Sequence, residues 1–408
     1  MSRELAHENA IPYIQIENFG PIYGKTKNIP IKKLTVFIGP QGSGKSTIAK
    51  LVSCFTWLEK ALVKGIVKET LKKQDLKNHF KFNQIDDYLT PATRLFWKGI
   101  NFNITYENEE VIITPKDSDY YHIAKIMYVP AERNFLSSFR FSELKLIDKL
   151  SQSLLAFLIE FDKSKSIIKK GISLPIKDVL LEYDKLNDII SITKNKKKVY
   201  LENAASGFQT MTPLFLVTEF LSNLLAGNIK QEDEEFSFKD MDTFDKDVEK
   251  LLSELKHSNV DIKSLKKKLI KISSKYSPSY FFNIVEEPEQ NLFPNSQKSV
   301  MEHLLKCLNK NKYNNLLITT HSPYILETLN NVIYAERLKS IGKDVDFVIS
   351  SDYHVSYNDV SAYMVKDGTI QNINLDDIKQ IDPGEVDSCS DIINSDYEKL
   401  EEIEYAKY

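Results

Sequence analysis

One short stretch, G-x-x-x-x-G-K-S at residues 39–46, constrains the fold of this chain more than any other feature. An apolar run at Leu34–Ile38 precedes it and apolar residues at helical spacing follow it, so the loop is predicted to join a strand to a helix. Glycines let the loop amides point at phosphate oxygens, and the helix that follows adds the positive end of its dipole. Lys45 is expected to reach the outer phosphates and Ser46 to hold Mg²⁺. The pattern predicts a nucleoside triphosphate site made by Gly39, Pro40, Gln41, Gly42, Ser43, Gly44, Lys45, Ser46 and Thr47.

Length, composition and net charge limit the class of protein but identify no binding partner. The chain has 408 residues, a net charge of −3 and 27% charged residues, so no overall basic excess predicts nucleic acid as a ligand. Cys54, Cys307 and Cys389 lie far apart, and neither they nor the histidines show a metal-ligand spacing. We therefore expect buried thiols in a reducing cytoplasm, with neither disulfides nor a zinc site. No apolar run is long enough to cross a bilayer, which predicts a cytoplasmic protein that does not enter the membrane.

Two further strands are predicted to end in chemically active side chains. The apolar run at 281–285 leads into Glu286 and Glu287, and the run at 316–320 leads into His321 after an intervening helix. Beside a triphosphate, Glu286 would hold the metal and Glu287 would orient and deprotonate the attacking water. His321 would donate to the γ-phosphate from the same sheet edge. A strand ending in exposed acids and a structural histidine are the competing interpretations.

The third candidate stretch is Ser206-Gly207-Phe208-Gln209 at the predicted start of a helix. A serine beside free backbone amides at a helix N-terminus is an anion site. The alternative is an ordinary helix start with Ser206 as its N-cap.

Together these stretches resemble Walker A, the ABC signature, Walker B with its catalytic glutamate, and the switch histidine. The chain is similar to ABC-type ATPases of the SMC and overcoming-lysogenization-defect clade. It is more closely similar to the AAA-like ATPase subunits of bacterial anti-phage systems such as Septu, PARIS and certain retrons. The turn at 130–133 and the run at 286–294 carry this closer resemblance. The resemblance implies an α/β fold: an ABC-type P-loop ATPase head, with a mixed sheet flanked by helices and two helical insertions.

The resemblance also implies a head-to-tail homodimer or higher homo-oligomer that encloses ATP and Mg²⁺. Ser206, Gly207 and Gln209 would then bind the nucleotide held by the partner copy. The chain departs from the family in having Glu286 where transporters have aspartate, and in a shorter signature. Arg133 could be a nucleotide-sensing residue or part of a structural salt bridge.

The motifs divide the chain into predicted segments. These are an N-terminal lobe with Walker A (1–134), a helical insertion (135–199), the signature helix (200–227), a charged helical insertion (228–275), a C-terminal lobe with Walker B and the histidine (276–380), and a tail (381–408). The long separation of the signature from Walker B argues against a transporter subunit, and we expect no nuclease within this chain.

The leading functional hypothesis is an ATP-hydrolysing switch of an anti-phage complex that controls a separate nuclease or toxin. One alternative is an ATP-gated scaffold with negligible turnover that sequesters an effector, and another is an SMC-like DNA-repair ATPase. Lysine clusters at 194–198 and 263–275 either contact nucleic acid or form solvated faces, and both interpretations stay open.

Overall fold

The structure, a computed structural model, describes residues 11–137, 150–229, 238–255, 262–384, 395 and 398–401. Its helices are α1 (Lys45–Val63), α2 (Lys73–Lys81), α3 (Gln152–Ser164), α4 (Ser206–Leu225), α5 (Phe238–Leu255), α6 (Ile262–Ser274), α7 (Pro294–Asn309) and α8 (Pro323–Ser340). The strands of the N-terminal half are β1 (Tyr13–Phe19), β2 (Ile22–Lys25), β3 (Ile29–Pro30), β4 (Leu34–Ile38), β5 (Arg94–Lys98), β6 (Phe102–Glu107), β7 (Glu110–Pro115) and β8 (Ala124–Val129). Those that follow are β9 (Ile172–Ser173), β10 (Val179–Asp184), β11 (Ile189–Lys194), β12 (Lys197–Tyr200), β13 (Tyr280–Glu286), β14 (Asn315–Thr320), β15 (Val360–Lys366), β16 (Thr369–Asn372), β17 (Asn374–Leu375) and β18 (Gln380–Ile381).

The central sheet has the strand order β16-β15-β4-β14-β13-β8. The five strands from β15 to β8 are parallel, and β16 pairs antiparallel with β15. Helices cover both faces, so alternate residues of β4 enter different cores: Val36 packs in the core formed with α4, α7 and α8, and Phe37 in the core formed with α1. The predicted α/β class, a mixed sheet flanked by helices, is confirmed.

The register of the central sheet brings several strand ends to one edge. Glu286 at the end of β13 pairs with Thr319 of β14, and Thr320 pairs with Ile38 at the end of β4. Because the three strands are parallel, the loops that follow them leave from the same side of the sheet. This edge therefore places the phosphate loop, the paired acids and the histidine next to one another.

A second, antiparallel sheet packs on the opposite side of α1. Its order is β2-β1-β5-β6-β7, with β3 also paired to β1. Trp97 of β5 stacks on Phe55 of α1, with ring centroids 6.0 Å apart. The pair buries two large aromatic side chains and holds this sheet against the helix that follows the phosphate loop.

The prediction of a helical insertion at 135–199 is only partly correct for the described part of this segment. It contains α3, but also an antiparallel sheet in the order β12-β11-β10-β9. The stretch at 178–186, expected to be helical, forms β10, in which Val179 and Leu181 are buried and Leu180 is exposed. Burial with a period of two residues is typical of a strand, and left-handed Asp188 and Asn195 adapt the chain to its hairpin turns.

The charged insertion does fold into helices where it is described. Lys275, just after α6, forms an ion pair with Asp247 of α5 at 3.0 Å. Part of the basic cluster is therefore neutralised by its acidic neighbour, as one of the two interpretations expects. The predicted tail at 381–408 lies mostly outside the described residues. In the part of the chain that the structure describes, no helix has the length and apolar content needed to cross a bilayer.

Candidate nucleotide-binding and hydrolysis site

The phosphate loop connects β4 to α1, as predicted, and two of its glycines are required by its geometry. Gly39 has φ +150°, and a Cβ there would lie 2.0 Å from the carbonyl oxygen of Val365 in the neighbouring strand β15. Gly44 has φ +107° at the N-cap of α1, where a Cβ would lie 2.6 Å from Ile22. A side chain at either position would displace the loop. Along the loop, Pro40, Gln41 and Gly42 are exposed, Ser46 is half-buried, and Ser43, Lys45 and Thr47 are buried.

Lys45, the first residue of α1, folds back over its own loop. Its Nζ donates to the carbonyl oxygens of Gly39 and Pro40, both at 2.8 Å, and lies 3.5 Å from Nδ1 of His321. Burial lowers the pKa of Lys45 to about 8, although nearby carboxylates oppose the shift. The ammonium group thus stands at the loop with partners that phosphate oxygens can replace.

Glu287 and His321 form a pair next to this lysine. The Glu287 carboxylate lies 3.2 Å from Nε2 of His321, and this hydrogen bond holds the pKa of Glu287 below its usual value. With Nε2 donating to Glu287, Nδ1 is left to accept from Lys45. The backbone of Glu287 is left-handed, with φ +43°, and its N–H donates to Thr319 at 2.8 Å. The three predicted catalytic side chains are therefore in one contact chain.

Glu286, the predicted metal ligand, is 6% exposed and turned towards β8. One carboxylate oxygen accepts from the Tyr128 hydroxyl and the other from the Ala131 N–H at 3.2 Å. These donors fix the orientation of the carboxylate. Together with the Ser46 hydroxyl it offers the hard oxygen ligands that Mg²⁺ prefers, so the donor set fits the ion.

Several buried polar atoms around the strand ends have no protein partner. Within the described ranges, Ser43 Oγ, Thr319 Oγ1 and Glu289 Oε2 are buried and make no hydrogen bond. Buried polar groups are almost always hydrogen-bonded, so these atoms are available to a polar ligand or to water. Ser43 in particular lies within the phosphate loop.

Glu289 and Tyr128 are site residues to which the sequence analysis gives no role. Glu289 Oε1 accepts from the Thr320 hydroxyl and from the backbone N–H of His321, both at 2.7 Å, and so fixes the loop that carries the histidine. The proximity of Glu289 to Glu286 in the motif was a usable signal. The sequence signal for Tyr128 was weaker: it lies near the end of a strand at the same edge of the sheet.

Arg133 matches neither interpretation offered for it. It is fully buried, and its guanidinium donates to backbone carbonyls. The acceptors are Glu286 and Glu287 at 2.6 Å, and Pro130 and Thr210 at 3.2 Å. Burial lowers its pKa to about 10. Arg133 therefore connects the chain after β13 to the first turns of α4, as a structural residue that bonds to backbone and not to a carboxylate.

The proposed signature begins α4, but Ser206 is not its cap. The N-cap is Ala205, without a side-chain hydrogen bond, and Ser206 is the exposed first residue of the helix. Gly207 packs so closely on the next segment that a Cβ would lie 2.7 Å from the carbonyl oxygen of Asn291. Gln209 donates to the carbonyl of Glu202 at 2.8 Å and so braces the turn before the helix. Of the three predicted signature residues, Ser206 is exposed, whereas Gly207 and Gln209 are half-buried.

Comparison with known proteins finds a general similarity to solved structures and none to families or curated sequences. No protein-family model matches the chain, and no curated protein sequence matches it. Similar solved structures include an SMC head domain from Thermotoga maritima, at 11% identity and a TM-score of 0.34, over 89% of this chain and 98% of that one. Others are the recombination mediator protein RecF-ATPrS of the RecFOR pathway and a dimeric ATP-binding cassette in a post-hydrolysis state bound to ADP and Pi. Each of these two has 12% identity and a TM-score of 0.29 over 88% of this chain, and the match covers 97% of the first and 96% of the second. With scores this low, the interpretation of the site rests on its own geometry.

Proposed function

We propose that this chain is an ATP-binding and ATP-hydrolysing switch subunit of the ABC type. The observation that carries the proposal is the contact chain from Lys45 through His321 to Glu287 at the mouth of the phosphate loop. A lysine for the phosphates, a carboxylate for water and a histidine between them are the groups that triphosphate hydrolysis requires.

In the proposed reaction, phosphate oxygens replace the carbonyls of Gly39 and Pro40 as partners of Lys45. The Ser43 hydroxyl, buried and unpaired in this structure, supplies a further donor. Ser46 and Glu286 would hold Mg²⁺, which supplies neutralisation of the charge on the phosphate oxygens.

Glu287 is the proposed general base. It is ionised at neutral pH because His321 holds its pKa low, and it must exchange this hydrogen bond for one from the attacking water. His321 is then available to donate to the γ-phosphate. Glu289 keeps the histidine in place throughout, since it bonds the backbone N–H of that residue.

The test is phosphate release by Glu287→Gln, with Glu132→Gln as the matched control. Glu132 is an exposed glutamate close to the same strand ends, its charge acts on Tyr128 and Arg133, and the proposed reaction gives it no role. We expect Glu287→Gln to bind ATP normally and to lose roughly 100-fold or more in turnover, since a general base contributes that much. Glu132→Gln should retain full turnover. Equal turnover in the two variants would refute the assignment of the base.

The second candidate function is an ATP-gated scaffold with negligible turnover. It is favoured by the engagement of both key groups, Lys45 with its own loop and Glu287 with His321. Steady phosphate release by the unmodified protein would reject the scaffold, and release at background level would support it.

The proposed switch works through a head-to-tail dimer in which Ser206 of one copy meets the nucleotide of the other. Its exposure at the helix start, where it caps nothing, supports this role. With Glu287→Gln used to retain ATP, size-exclusion chromatography should show dimers that Ser206→Arg abolishes while ATP binding persists. Dimers unaffected by Ser206→Arg would refute this geometry.

The proposed setting, anti-phage defence with a separate nuclease or toxin as effector, follows from the family resemblance of the motifs. The lysine hairpin at 194–198 is exposed, and Lys198 pairs with Glu182 at 3.1 Å. Nucleic-acid contact there is tested by salt-dependent binding of DNA. Stimulation of turnover by DNA ends would favour the repair ATPase over the switch.

A further inference from the structure

A second cluster of reactive side chains lies between α4 and α7, apart from the phosphate loop. Glu219 comes from α4, and His303 and Cys307 are one turn apart on α7. His303 is 9% exposed and Cys307 is 1% exposed, while Glu219 is half-buried. One donor atom from each residue lies within 4.8 Å of the other two.

The distances in this cluster approach those of a metal coordination sphere. Cys307 Sγ lies 3.4 Å from Glu219 Oε2 and 3.6 Å from His303 Nε2. The 3.9 Å contact of His303 with Glu219 Oε2 is made by the other ring nitrogen, Nδ1, and only one ring nitrogen can bind a given ion. One donor atom from each residue lies within 4.8 Å of the other two, whereas neighbouring donors around tetrahedral zinc are roughly 3.3–3.6 Å apart. The three side chains would therefore have to draw closer to share an ion.

The groups behind these donors orient them towards the cluster. The other oxygen of Glu219, Oε1, accepts from Lys310 Nζ and Asn223 Nδ2, both at 2.8 Å. The His303 ring hydrogen-bonds the backbone of Phe215 and packs on its ring at 4.6 Å. Outer partners of this kind are what fix carboxylate and imidazole ligands in metal sites.

We propose that Glu219, His303 and Cys307 bind one zinc ion, with water as the fourth ligand. A thiolate, an imidazole and a carboxylate form a ligand set that suits Zn²⁺, and two negative charges balance the charge of the ion. The ion would join α4, which begins with Ser206, to α7, which follows the loop after Glu287. The proposed site departs from the expectation that the cysteines hold no metal, which is based on spacing along the sequence alone.

The test is metal binding by the full-length protein, independent of its ATPase activity. After treatment with a chelator, the wild-type chain should take up one equivalent of Zn²⁺ in competition with a chromophoric chelator. Co²⁺ in its place should give visible ligand-field bands and a near-ultraviolet thiolate-to-cobalt band. Asn223→Ala, which alters only an outer partner, should weaken Zn²⁺ binding by roughly 10–100-fold.

The matched controls use the two buried cysteines of the described chain, Cys54 and Cys307. Cys307→Ser and His303→Ala should lose the thiolate-to-cobalt band and stoichiometric Zn²⁺ uptake, whereas Cys54→Ser should keep both. Circular dichroism checks that the variants fold, and Glu219→Gln serves if one does not. No stoichiometric uptake by the wild type, or an unchanged band in Cys307→Ser, would show that the cluster is only a hydrogen-bond network.

Discussion

Replacing Arg133 by methionine should unfold the protein at markedly lower denaturant concentration. In the native structure the guanidinium donates to four backbone carbonyl groups, those of Pro130, Thr210, Glu286 and Glu287. Methionine fills a similar volume but donates no hydrogen bond. The variant therefore leaves these acceptors without the partner that joins three separate parts of the chain.

The magnitude follows from two opposing contributions. Each hydrogen bond from a charged donor is worth about 1.5–3 kcal/mol, so the loss of four would cost about 6–12 kcal/mol if nothing compensated. Methionine avoids the penalty of several kcal/mol for burying a guanidinium, and water can reach part of the vacated site. We expect the free energy of unfolding to fall by about 3–5 kcal/mol.

The assay is urea-induced unfolding at pH 7, followed by circular dichroism. Arg94→Met is the matched control, because Arg94 is half exposed and pairs with Glu17 and Glu107 on the surface. Its loss should cost less than about 1 kcal/mol. Arg133→Lys should not rescue stability, since one ammonium cannot reproduce the planar fork. A free energy of unfolding for Arg133→Met within 1 kcal/mol of that for Arg94→Met, roughly the cost of a surface pair, would refute this account.

Two further predictions concern the phosphate loop. Gly39→Ala should abolish ATP binding, measured with a fluorescent ATP analogue, because its Cβ would collide with Val365. The control Gly24→Ala, at φ +62° in open space, should bind ATP normally. ATP binding by Gly39→Ala would contradict the close approach of the loop to Val365. Because the pKa of Lys45 is lowered to about 8 and bound phosphate would raise it again, ATP binding should weaken as pH rises through 8 and take up about half a proton at pH 8. Calorimetry in buffers of different ionisation enthalpy measures this proton uptake, and Lys45→Arg should eliminate it. If the wild type takes up no proton at pH 8, Lys45 has no neutral fraction and the prediction is wrong.

The sequence alone predicts the groups at the ends of the parallel strands of the central sheet, because each strand and the loop after it are encoded locally. An apolar run followed by glycines, acids or a histidine predicts a strand and what leaves its end, and the parallel register then brings the ends together. Lys45, Glu287 and His321 were found in this way and do lie in contact. Their roles in hydrolysis stay predictions until turnover is measured.

What the sequence could not supply depends on contacts between distant segments. The sequence predicts a helix over 178–186, where β10 forms, because Leu and Ile residues fit a short helix as well as a strand, and only pairing with neighbours decides between them. Both interpretations of Arg133, nucleotide sensing and a salt bridge, pair it with an anion. Its partners are backbone carbonyls, which no sequence pattern indicates. The Glu219, His303 and Cys307 cluster was missed because its third donor comes from another helix.

The contacts of α4 explain how Ser206 and the proposed base, Glu287, are connected within one chain. Arg133 bonds the carbonyl of Thr210, Asn291 donates to the Thr210 hydroxyl at 3.2 Å, and Gly207 packs against the backbone of Asn291. The first turns of α4 are thus fixed to the loop that follows Glu287. A shift of the helix that presents Ser206 must break one of these contacts or move the loop with it. If a partner copy engages Ser206, existing contacts therefore connect that helix to the loop that carries the base in the same chain.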